Sequence, residues 1–148
     1  MTWIVFALLA AVLWGASYAM YGELVKSMSP AATTFYSSVG MLVVYAGWML
    51  SSGALHNDWQ LLKKGGGETK LVLSLIAVNA LANIFLALSI KEKNPTAAGL
   101  IEISYPLFTA LFAWIFWKEM QFTLGTALGG ALIMAGIACI AFFEKTAQ

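Results

Sequence analysis

An all-α, polytopic membrane protein with five transmembrane helices is the fold class this sequence predicts, and three observations carry it. Of the 148 residues, 61% are hydrophobic. Only 10% are charged, against roughly a quarter in an ordinary soluble domain. The apolar residues gather into five stretches, about 3–22, 31–52, 71–90, 96–117 and 123–143. A bilayer core about 30 Å thick takes about 20 helical residues at about 1.5 Å each, so every stretch is long enough to span. Residues 1–148 are expected to form one five-span domain. The short connections leave no room for a soluble catalytic or receptor domain. A net charge of +1 offers no basic patch for nucleic acid.

The first stretch follows Met1-Thr2-Trp3, with none of the Lys or Arg that opens a signal peptide, and its apolar run is about twice an h-region. It is expected to be a retained helix. The second opens at Ser29-Pro30, where Ser suits the N-cap and Pro the first helical position, and Asn94-Pro95 repeats that opening for the fourth. Residues 53–69 (GALHNDWQLLKKGGGET) are the one long connection. They are expected to form a loop whose Trp59, Leu61 and Leu62 dip into the membrane interface. Gly65-Gly66-Gly67 lacks the strand and the GK[ST] ending of a phosphate loop and is expected to be a flexible linker. Lys91-Glu92-Lys93 marks the exit of the third stretch and Lys118-Glu119 that of the fourth, and a polar tail, residues 144–148, follows the fifth. Gly125 and Gly129 in the fifth make a small-xxx-small pattern that suits close helix packing. Cys139 is the single cysteine and cannot form a disulfide within the chain.

Five spans put the termini on opposite sides. Lys63, Lys64, Lys70 and Lys118 then share the N-terminal side, and Lys26, Lys91, Lys93 and Lys145 share the other. Four against four gives the positive-inside rule no preferred direction. The chain is therefore expected to insert both ways up.

Glu102 is the one charged residue inside the apolar stretches. It lies about 10 Å into the fourth at about 1.5 Å per residue. A carboxylate at that depth is expected to face a partner or a watery cavity, or to stay protonated. Proton uptake and release there is a candidate coupling step, and a protonated, helix-bridging glutamate is the structural alternative. Pro106, four residues on, has no N–H to give the carbonyl of Glu102 and breaks the helix, either at a substrate site or as a kink that only shapes packing. Glu102, Tyr105, Pro106, Thr109 and Ala113 fall on one stripe. Asn79 and Asn83 share a face of the third stretch and must find partners, as substrate ligands, as partners of Glu102 or as interhelical bridges. Trp14, Ser17, Tyr18 and Tyr21 share a related face of the first, where aromatic rings suit a flat or cationic solute. Interfacial anchoring suits Tyr21 better than the deeper Trp14. Thr34, Ser37, Ser38, Met41 and Tyr45 lie along one side of the second. The spans hold no His or Cys cluster, carboxylate pair or nucleophile with its base, so no metal, cofactor or enzymatic activity is expected.

Leu13-Trp14-Gly15-Ala16-Ser17-Tyr18, Ser29-Pro30, the segment AGLIEISYPLFTALFAWIFWKE ending at Glu119, and the glycine-rich stretch 125–136 together resemble one EamA-type repeat of the drug/metabolite transporter superfamily. The resemblance covers nearly the whole chain. Most relatives join two such five-span repeats in inverted orientation, so it implies that two antiparallel copies of this unit rebuild that architecture, as the lysine balance also suggests. The expected function is transport of small organic metabolites or amino-acid-like solutes by an antiparallel, dual-topology homodimer, by alternating access with proton coupling through Glu102. The expected place is a lipid membrane, the cell membrane, and the inner membrane if the source is bacterial. Glu102, Asn79, Asn83, Trp14, Tyr18 and Tyr105 are the expected substrate- or proton-binding residues, with Pro106 as the helix break. A non-transporting scaffold or regulatory subunit, and one half of a heterodimeric transporter, are the alternatives.

Overall fold

The computed structural model describes residues 2–53, 55–120 and 123–145. It is helical throughout, with no strand among the described residues: α1 (Thr2–Leu24), α2 (Pro30–Ser52), α3 (Leu55–Lys63), α4 (Gly67–Glu92), α5 (Pro95–Glu102), α6 (Tyr105–Trp117) and α7 (Leu124–Lys145). Among the described residues, four segments are long and apolar enough to cross a membrane: Thr2–Leu24, Gly67–Glu92, Pro95–Trp117 and Leu124–Phe143. A fifth counts when α2 is taken with α3 across a sharp bend. At 23 residues α2 matches the others in length. Its threonines and serines lower its hydropathy. The chain is a multi-pass membrane protein. Of the polar tail expected after Phe143, residues 146–148 lie outside the described residues.

The capping residues act as their positions suggest. The Ser29 hydroxyl accepts from the Ala32 amide at 3.2 Å, and the Asn94 side chain accepts from the Ala97 amide at 2.7 Å, with Pro30 and Pro95 leading the two helices. Each cap satisfies one of the N–H groups a helix start leaves unpaired. Asn94→Ala is expected to lower stability by about 1 kcal/mol, measured as an earlier unfolding transition of the protein in detergent. Gly53 ends α2 at φ 70, and Lys118 ends α6 at φ 58. Lys118 is the costlier choice for a left-handed position, but its amide and that of Glu119 close the helix end onto Trp114 and Ala113, and its ammonium lies 5.3 Å from the Trp114 ring centre.

The connection between residues 53 and 69 departs from the expected loop. It contains the nine-residue helix α3, which packs on α4. Leu55, Trp59 and Leu62 recur at helical spacing and give it an apolar stripe. The glycine run is a tight turn rather than a flexible linker. Gly65 turns at φ 66, Gly67 already opens α4, and the Thr69 hydroxyl donates to the Leu62 carbonyl at 2.8 Å. A short amphipathic pattern beside three glycines reads as a loop because its nine residues are too few for helical periodicity to stand out.

Two compact units form, one from Met1–Ala19 with Lys93–Gln148 and the other from Met20–Glu92. In the first, α5 packs on α7, and the buried residues among those described are Ala97, Ala98, Ala110, Ala113 and Gly130. Close approach to α7 occurs at Gly130, where a Cβ would sit 2.3 Å from a Leu107 methyl; at Gly129 it would meet nothing within 4 Å. In the second, α2 packs on α4 around Thr33, Ala87 and Ile90. Small residues fill these seams while Leu, Phe and Trp side chains point outward. This is the arrangement favoured where lipid tails solvate large apolar groups as well as a protein core does, and helices associate by close backbone packing.

Candidate functional site

Glu102 ends α5, and the helical ladder changes register there. The Ile103 amide still bonds to Gly99, but Ser104 bonds back to Ile101 and Leu107 to Ser104, both three residues away. Pro106 has no N–H to continue the four-residue ladder, so α6 restarts at Tyr105. The carboxyl thus sits at a break in a span, where irregular backbone is tolerated only beside protein or water.

Within the unit of residues 1–19 and 93–148, α1 supplies its partner. The Tyr18 hydroxyl donates to Glu102 Oε2. Trp14 lies one turn earlier with its ring centre 5.8 Å from that of Tyr18 and tilted by 59°. Three of the expected residues, Trp14, Tyr18 and Glu102, therefore meet in one cluster. Tyr105 opens α6 with its side chain 62% exposed. Of the rest of the expected stripe, Ala113 is buried and Thr109 donates to the Tyr105 carbonyl at 3.1 Å. Glu102 itself stays exposed, and no ion pair reaches it among the described residues. A carboxyl in a membrane span is costly unless it meets a partner or water.

Gly99 belongs to this cluster and sequence reasoning passed over it. A Cβ there would lie 2.9 Å from Tyr18 Cδ2 and 3.0 Å from Cε2, so the ring rests on the bare backbone of α5. Glycine carries no chemistry of its own, and its place three residues before Glu102, on the same helix face, was the one available signal.

Within the unit of residues 20–92, α2 and α4 flank a groove of about 920 Å³. Thr34, Ser38 and Tyr45 line it from α2, and Asn79 and Asn83 line it from α4, among apolar neighbours. The amide nitrogens of Asn79 and Asn83 donate to the carbonyls four residues back, Leu75 at 3.0 Å and Asn79 at 2.9 Å. These bonds stay within α4. Ser37 bonds back to Thr33 in the same manner at 2.9 Å. Tyr21 has a definite job at the mouth of this unit: its hydroxyl donates to the Pro30 carbonyl at 3.0 Å and lies 2.8 Å from the Thr34 hydroxyl, tying the last turn of α1 to the first of α2. The polar residues that lower the hydropathy of α2 are in part those that line the groove. Among the described residues, no charged side chain lines it.

The model of the EamA-like transporter family matches residues 1–142. The chain belongs to that family. No curated protein and no solved structure gives a significant match. Membership makes this EamA-like chain a membrane transporter of the drug/metabolite superfamily, with a small-molecule substrate and a lipid environment.

Proposed function

We propose that this EamA-like protein moves small organic metabolites or amino-acid-like solutes across the cell membrane as an antiparallel homodimer, by alternating access, with proton coupling through Glu102. The observation that carries the coupling is the Tyr18–Glu102 hydrogen bond at the break in a span. The carboxyl there can hold a proton or the amine of a solute, one at a time, and that exclusion is the elementary step of coupled transport. The Trp14 and Tyr18 rings offer faces to the rest of the solute; within the other unit, the α2–α4 groove is a separate surface of neutral amides and hydroxyls. Tyr105, beside the break, is assigned to the cavity wall. Two copies in opposite orientation restore the inverted repeat around which such transporters alternate. The equal lysine count on the two sides supports that pairing.

Orientation is the experiment that tests it. The C-terminus is fused in separate strains to a reporter active only in the cytoplasm and to one active only outside. Both fusions are expected to be active at comparable levels. Activity of one fusion alone would sink the antiparallel homodimer.

A further inference from the structure

We infer that Gly99 is a positioning residue for Glu102: the missing side chain lets the Tyr18 ring lie against α5 and brings its hydroxyl to the carboxyl. This deepens the proposed function and rests on Glu102 being a group that gains and loses a proton.

The geometry is local and one-sided. A Cβ on residue 99 would come to 2.9 Å and 3.0 Å of two carbons of the Tyr18 ring, where carbon atoms in contact prefer about 3.5–4.0 Å. The ring is planar and turns only about two bonds. Trp14 flanks it and Glu102 receives its hydroxyl, so a methyl group at 99 displaces the ring from the carboxyl. Backbone freedom is not what the glycine supplies, since Gly53 and Gly65 are the glycines with positive φ and Gly99 lies inside a helix. Glycine there weakens the helix relative to alanine, and what it provides in return is room. Gly15, Gly40, Gly47, Gly129 and Gly136 would meet nothing within 4 Å on gaining a Cβ, so a crowded helical glycine is not the rule in this chain.

Carbodiimide labelling of the full chain in proteoliposomes tests this without knowledge of the substrate. The protonated carboxyl gives its proton to a nitrogen of dicyclohexylcarbodiimide and its oxygen then adds to the central carbon, and the adduct rearranges to a stable N-acylurea, so the pH midpoint of Glu102 labelling, followed by mass spectrometry, reads its protonation. Tyr18→Phe removes the hydroxyl and Gly99→Ala moves it away. Each is expected to shift the midpoint by about one pH unit, the scale of a hydrogen bond to a charged group, in the same direction. The double variant is expected to shift no further. Gly136→Ala, in open space, is expected to keep the original midpoint. An unmoved midpoint in Gly99→Ala, or shifts that add in the double variant, would overturn the inference. Should Gly99→Ala fail to accumulate, the Tyr18→Ala background decides: with the ring gone, Gly99→Ala should accumulate as Tyr18→Ala does, and failure there also overturns it. Transport is not read in this assay, so loss of the positioning role is distinguishable from loss of proton coupling, which Glu102→Gln addresses.

Discussion

Glu102→Gln is expected to lower proton-driven solute flux about 10- to 100-fold while leaving the amount of protein in the membrane unchanged. Gln has the shape of the protonated acid and keeps an oxygen to accept from Tyr18, so the packing of α5 against α1 survives. What it loses is the negative charge. A hydrogen bond to a charged group is worth about 1.5–3 kcal/mol, and each 1.4 kcal/mol is about tenfold, which sets the range. Whatever flux remains should no longer vary with pH, because the group that exchanged the proton is gone. Flux into proteoliposomes, measured beside membrane abundance, decides it. Unchanged, pH-dependent flux in the variant would remove Glu102 from the mechanism.

The second large effect concerns orientation. With the five-span topology proposed above, Lys91→Ala/Lys93→Ala leaves four lysines on the N-terminal side and two on the other. The positive-inside rule then favours the N-terminal side in the cytoplasm, and the ratio of the two C-terminal reporters should swing by about tenfold toward the outside. If transport needs an antiparallel pair, flux falls with the swing. The mirror variant Lys63→Ala/Lys64→Ala biases the chain the other way, and co-expression of the two should restore flux that neither supports alone. Reporters unmoved by these substitutions would show that lysine balance does not set the orientation.

Much of the fold was legible because membranes impose simple rules. About 20 apolar residues in a row, a Ser-Pro or Asn-Pro opening and a lysine at the exit are enough to place a span, and Ser29 and Asn94 cap their helices as their positions suggest. The short α3 was not legible, because Leu55, Trp59 and Leu62 make a single apolar stripe too brief to separate from a loop with a few hydrophobic residues. At the site, Glu102 and Asn79 stood out because polar atoms in an apolar span are expensive and must be satisfied. Which partner satisfies them is a matter of helix arrangement. The sequence alone left open whether the asparagines bind a solute, pair with Glu102 or bridge helices. Within one unit their nitrogens donate to α4 carbonyls, and within the other Tyr18 donates to the Glu102 carboxyl. Gly99 was invisible for the converse reason: its contribution is an absence of atoms, and only the position of the Tyr18 ring gives that absence meaning.

The alanines at the buried seams change how such a protein should be interrogated. Ala97, Ala98, Ala110 and Ala113 in one unit, and Ala87 in the other, are already the residue that a conventional scan installs. Alanine scanning therefore passes over many of the contacts that hold the helices together, reaching the seams at few positions such as Thr33 and Ile90, and samples mainly the outward-facing Leu, Phe and Trp side chains. A scan in the opposite direction, enlarging each small residue by one or two carbons, reads the seams directly.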